Sequence, residues 1–168
     1  MENHSPDTRT GIGFDIHRLI PVLNVGMITL GGVQIPCHAE VQAYSDGDVL
    51  LHAVTDAILG SLALGDIGSH FPDTSTENKS RNSQDFVVFA EKEARRLGWR
   101  VKQLDANVLL EAPKLAPFID RIREQLAKLL SLELACVSVK AKTMEGLGAV
   151  GERLAMAAQV IVVMEERR

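Results

Sequence analysis

The sequence predicts a single α/β (α+β) domain, a mixed β-sheet covered by helices on one side. Three observations predict it. The chain has 168 residues, enough for one sizeable core and too few for two ordinary domains. Its composition is that of a soluble globular protein, 46% hydrophobic and 24% charged, with a formal net charge of −4. Strand-like and helix-like apolar periodicities alternate along it, with no repeat or low-complexity tract.

Residues 1–8 read as a flexible N-terminal extension, lacking the basic start and apolar run of a secretory signal, and residues 9–168 as the domain. Residues 8–18 and 27–36 read as strands joined by a turn around Pro21, Asn24 and Gly26. A helix follows over 45–64, with Ser45 as N-cap, Asp48 three residues on, and Gly65 as the stop. Residues 71–82 are polar and turn-rich. Ser83 then caps a second helix that turns Phe86, Phe89, Ala90 and Leu97 to one side and ends at Gly98. "VKQLDANVLLEA" reads as a strand. Pro117 opens a third helix through Leu130, with Ile119, Ile122, Leu126 and Leu129 at core spacing. "ACVSVKAKT" and "RLAMAAQVIVVM" are the last strands. The final one is apolar on both faces, as a central or interfacial strand would be.

Several function classes are disfavoured at this level. A mildly acidic chain with one Trp and one Tyr lacks the footprint of a nucleic-acid binder. "LAMAAQVIVVM" is too short to span a bilayer, so no membrane partner is expected. Cys37 and Cys136 form neither a metal-type pair nor a disulfide framework; free thiols fit a reducing cytoplasm. "GLGAVG" at 146–151 matches a dinucleotide fingerprint by letter, but the segment after it reads as a strand and the chain ends soon after.

The chemistry sits in two stretches. In "GIGFDIHRL", residues 11–19, strand alternation sends Ile12, Phe14 and Ile16 to one face and Asp15 and His17 to the other. In "SDGDVLLHAVTDAILG", residues 45–60, Asp48, His52 and Asp56 follow at four-residue intervals and share a helix face. Asp15, His17 and His52 together make one carboxylate and two imidazoles. Zinc accepts that set and keeps a fourth position open, while Asp48 or Asp56 is expected to orient His52 through its second ring nitrogen. A surface Asp–His pair with an unrelated core histidine explains the same spacing. So does a two-histidine, one-carboxylate iron site, although those usually run H-x-D…H on a β-barrel.

These two stretches, with "LGDIGSHFPDT", "EAPKLAP" and "VKAKTMEGLG" in order, resemble the 2-C-methyl-D-erythritol 2,4-cyclodiphosphate synthase family from about Arg9 to Met164. The resemblance implies cyclisation of a cytidine-diphosphate ester of methylerythritol 2-phosphate with release of CMP, in non-mevalonate isoprenoid synthesis. It also implies a homotrimer with active sites between subunits. Zn²⁺ is implied on Asp15, His17 and His52, and Mg²⁺ or Mn²⁺ on Glu145 with the substrate phosphates. Thr143 and Tyr44 fall at positions that steady the transition state. Asp15, Ile16, His17, Tyr44 and Ser45 fall in the substrate site. So do Asp66, Ile67, Gly68, Phe71, Asp73 and Thr74, at the methylerythritol end. The cytidine and phosphate side takes Leu110, Ala112, Pro113, Lys114, Leu115 and Ala116, then Lys142, Thr143, Met144 and Glu145.

The chain departs from the family pattern in two places. Tyr44 stands where the family has a histidine, and a tyrosine carries no positive charge near neutrality. Ala149 and Glu152 stand where many members have a phenylalanine and an arginine lining an axial cavity, and Gln159 where a glutamate is common. Such a cavity would hold isoprenoid diphosphates weakly.

Overall fold

The computed structural model describes residues 8–72, 74 and 78–167. The proposed extension, apart from Thr8, therefore lies outside the described residues, and Thr8 already opens the first strand. Five strands, β1 (Thr8–Leu30), β2 (Val33–Gln42), β3 (Trp99–Leu109), β4 (Val137–Lys142) and β5 (Ala155–Glu166), form one sheet in the order β2-β1-β5-β3-β4. It is mixed: β3 and β4 run parallel, and the other neighbours are antiparallel. The apolar last strand is central, one of the two places its two-faced pattern allows.

Three longer helices, α1 (Val49–Ser61), α3 (Ser83–Arg96) and α4 (Ile119–Leu130), pack on one face of the sheet. Between them stand the short α2 (Ile67–His70) and, before β5, the single turn α5 (Gly148–Gly151). The core lies between sheet and helices, where Met156, Ala158, Val160, Val162 and Met164 of β5 are fully buried beside Leu50, Ile58, Ile122 and Leu126. The other face carries Ile12, Phe14, Ile16 and Ile161, between 44% and 62% exposed.

The first hairpin differs from expectation. β1 runs on to Leu30, and the chain turns at Gly31–Gly32, with Leu30 paired to Val33. Both glycines have positive φ, 59° and 77°, which a two-residue hairpin loop favours. The segment from Pro21 to Gly26 is instead an irregularity within β1, opposite Ala39 and Cys37. Gly-Gly between apolar alternations was the stronger turn signal, and Pro21 the weaker.

The start of α1 also moves. Its N-cap is Asp48, not Ser45. The Asp48 carboxylate is wholly buried and accepts the amides of Leu50 and Leu51 and, across the molecule, those of Gly31 and Gly32 at 3.0 and 2.7 Å. One side chain thus fastens the hairpin turn to the helix start. Burial pushes its carboxyl up to about 6, against the backbone amides that pull it down.

What places the site is the closeness of α1 to β1. A Cβ at Gly11 would run into the Ala57 carbonyl, and one at Gly13 into that of Ala53. Glycine at both positions lets helix and strand backbones touch, which lays His52 over Asp15 and His17.

Candidate active site

Asp15 and His17 project from β1 toward α1, and His52 meets them from the helix. Asp15 Oδ2 lies 2.8 Å from His52 Nδ1 and 3.2 Å from His17 Nε2, and the two ring nitrogens are 3.1 Å apart. Ligands of a tetrahedral metal with bonds of about 2.0–2.1 Å stand roughly 3.3 Å from one another. The observed spacing is close to that, and two imidazole nitrogens with one carboxylate oxygen are a donor set that zinc accepts. Burial is the largest influence on His17 and holds its imidazole below the ordinary value; Asp15 pulls it back up and His52 pushes it further down. A neutral ring keeps the lone pair a metal requires.

The other nitrogen of His52, Nε2, meets two hydroxyls, Ser83 Oγ at 2.8 Å and Ser45 Oγ at 3.1 Å. Neither Asp48 nor Asp56 does the orienting expected of it. Asp48 is committed to four backbone amides, and Asp56 Oδ1 accepts the Ile67 amide at 2.7 Å, tying α2 to α1. Sharing a helix face places two side chains near a third, but the nearest unpaired amide decides where a buried carboxylate turns.

The triad opens into a cleft of about 540 Å³. Tyr44, Ser45, Ile67, Gly68 and Phe71, all expected here, line it, and so do Asn78 and Phe86, which spacing could not supply. Phe71 packs on Phe86 and Phe89 with ring centroids 4.7 and 5.0 Å apart. Asn78 is buried and clasps the wall: its Nδ2 donates to the Pro72 carbonyl, and its Oδ1 accepts from Arg81, whose guanidinium lies over Phe71. Asp66 caps α2, and hydrogen bonds from the Ser69 hydroxyl and amide hold its carboxyl below the usual range. Thr74 is exposed in a turn, and Asp73 lies outside the described residues. Ile16 shows its side chain on the opposite face of the sheet, 48% exposed, so only its backbone adjoins the triad.

The remaining candidates gather elsewhere. Leu110, Pro113, Lys114, Leu115, Ala116, Lys142 and Thr143 line a separate depression of about 200 Å³. Ala112 faces a neighbouring cleft with Cys37 and Arg153. Beyond β4, Thr143 Oγ1 donates to Glu145 Oε1 at 2.8 Å, and the Met144 amide donates to Glu111. Glu145 holds a left-handed φ of 51°, unusual for a residue with a side chain. Register puts Ile16, Ala157, Leu109 and Lys142 in one row, so the two groups share an end of the sheet. They stand three strands apart, about 14 Å.

Fold and site together define a single-domain α+β protein with an Asp–His–His metal-type triad at the mouth of a cleft. The chain belongs to the YgbB family, whose model matches residues 8–165. It is 45% identical to a 2-C-methyl-D-erythritol 2,4-cyclodiphosphate synthase from Solibacter usitatus, over 95% of this chain and 99% of that one. Among solved structures it superimposes on the Plasmodium falciparum IspF–CDP complex with a TM-score of 0.85 at 31% identity, over 98% of this chain and all of the other. It also matches the bifunctional IspDF of Campylobacter jejuni, with a TM-score of 0.89 and 37% identity, spanning 96% of this chain and 43% of that longer one.

Proposed function

We propose that this protein converts 4-diphosphocytidyl-2-C-methyl-D-erythritol 2-phosphate to 2-C-methyl-D-erythritol 2,4-cyclodiphosphate and CMP. The observation that carries the reading is the meeting of Asp15, His17 and His52 in the cleft of a chain so closely related to such synthases. In the reaction a 2-phosphate oxygen bonds to the β-phosphorus, and the bond from that phosphorus to the oxygen bridging to the α-phosphate breaks. CMP leaves with the bridging oxygen. The attacking group is already an anion, so the protein's task is alignment and charge neutralisation rather than removal of a proton.

Asp15, His17 and His52 would hold Zn²⁺, which supplies Lewis-acid polarisation of a phosphate oxygen. Glu145 would hold Mg²⁺ or Mn²⁺ together with the substrate phosphates. Asp66, Ile67, Gly68, Phe71, Asp73 and Thr74 receive the methylerythritol end. The 110–116 segment receives the cytidine, with Lys114 and Lys142 as cations for its phosphates. Thr143 and Tyr44 each offer a hydroxyl to developing charge on phosphate oxygens.

The active unit is a homotrimer with each site shared between neighbours. Two features support this: the open apolar face around Phe14 and Ile161, and the three-strand separation of the two half-sites within one chain. Phosphorus NMR of the protein with substrate, zinc and magnesium tests the activity. A cyclic diphosphate plus CMP is expected. Open-chain products would reassign the protein as a phosphoester hydrolase or transferase, and no turnover by the folded trimer as a binding protein. His52→Ala should remove both zinc and turnover; zinc retained at full occupancy would mean that another residue is the third ligand.

A further inference from the structure

We propose that Ser83, backed by Asp46, is a positioning residue that fixes the tautomer of His52 and aims its Nδ1 lone pair into the triad. This deepens, and rests on, the reading of Asp15, His17 and His52 as a cation site.

The direction of each proton follows from what the partners are able to donate. Asp46, as a carboxylate, offers only acceptors. Its Oδ2 takes the Ser83 amide at 3.0 Å, and its Oδ1 meets the Ser83 hydroxyl in a short contact. The proton in that contact is the serine's. Ser83 Oγ is then left with lone pairs alone for His52 Nε2, 2.8 Å away, so the hydrogen between them belongs to the imidazole. Ser45 Oγ, 3.1 Å from the same nitrogen, accepts the Gly47 amide and is placed to share that hydrogen. With Nε2 protonated, a neutral His52 has a bare lone pair at Nδ1. That lone pair faces Asp15 Oδ2 at 2.8 Å and His17 Nε2 at 3.1 Å. The Nδ1 lone pair and the Asp15 oxygen are both acceptors, and a cation held between them, with His17 alongside, reconciles their approach.

A simple helix-capping role does not account for Ser83. The N-cap of α3 is Asn82, whose side chain accepts the Gln84 amide. Ser83 stands one residue further in and is wholly buried, its hydroxyl turned to the histidine. The second helix on the sheet therefore reaches His52 with a polar atom, the Ser83 oxygen, beside the Phe86 ring, whose centroid lies 5.7 Å from that of the imidazole.

Long-range ¹H–¹⁵N NMR of the metal-free protein reads the His52 tautomer directly. The parent is expected to show a single Nε2–H form, and Ser83→Ala a mixture or the Nδ1–H form. Zinc alone, titrated in competition with a chromogenic chelator, is expected to bind about 10- to 100-fold more weakly to Ser83→Ala. Ser83→Thr, which keeps the hydroxyl, should recover the parent tautomer and most of the affinity. Where the alanine variant does not fold, as judged by circular dichroism, Ser83→Cys replaces it, since a thiol is a poor acceptor. Parent-like tautomer and zinc affinity in a folded variant lacking the hydroxyl would overturn the proposal. A parent that takes up no zinc would defeat the cation reading, while the tautomer comparison still decides the role of Ser83.

Discussion

Tyr44, at the mouth of the cleft, stands where the family resemblance implies a histidine. Its carbonyl accepts the Ser80 amide at 2.8 Å, so the backbone there is held whatever the side chain. If the missing imidazolium charge matters, Tyr44→His should raise kcat/KM by about tenfold or more, the equivalent of roughly 1–3 kcal/mol. Unchanged kinetics would show that the position acts through its backbone. Asp48 supports a second prediction at this scale. Its folded pKa is raised from 3.8 to about 6, so the native state holds that proton more tightly than the unfolded chain. The resulting stabilisation is fully present below pH 3.8 and is lost as pH rises through about 6. Asp48→Asn does not titrate there. Between pH 4 and 7 the parent should lose up to about 3 kcal/mol relative to that variant, read by urea unfolding. Parallel stability curves would count against the raised carboxyl.

At the scale of elements, the contact of α1 with β1 sets the triad. Gly13→Ala drives a Cβ into the Ala53 carbonyl one residue from His52. It should destabilise the protein by about 1–3 kcal/mol or more and weaken zinc binding, because α1 must lift away from the strand. Urea unfolding together with a zinc titration measures both. Full stability would mean that the helix rides on the strand less tightly than its backbone contacts indicate. Much at this scale was legible beforehand. The alternation in "GIGFDIHRL" correctly set Asp15 and His17 opposite Phe14 and Ile16, and periodicity gave Phe86 and Ala90 of α3 and Ile122 and Leu126 of α4 as core. Leu97, past the end of α3, is instead 42% exposed, and Val87 and Ala94 are buried in its stead. Ser45 as a cap and the turn at Pro21 were misplaced. A cap and a turn each depend on which distant amide needs a partner, and for Asp48 those amides belong to Gly31 and Gly32.

At the scale of the whole molecule, one chain leaves the apolar face around Phe14 and Ile161 uncovered. A trimer predicts a sedimentation mass three times the chain's 18.3 kDa. Phe14→Glu puts a charge at the centre of the open face, where Phe14 is 54% exposed. The variant should sediment as a monomer, lose turnover by 100-fold or more, on the order expected when half of a positioning site is missing, and keep its zinc, since the triad lies within one chain. An active monomer would place the whole site in one subunit.

By itself, the sequence determined the fold class, a last strand that is either central or interfacial, and the types and facing of the metal-type residues. These depend on periodicity and on short-range stereochemistry that each segment carries with it. The last strand's central place came from the sheet order. Its ordered motifs likewise marked the family, which the relatives then established along nearly the full chain. Only the tertiary structure decided what holds His52. The two aspartates on its own helix turned to backbone amides, and two serines, 7 and 31 residues away, took the ring nitrogen. A buried polar group binds whichever partner the fold brings within about 3 Å, and sequence spacing does not encode that distance.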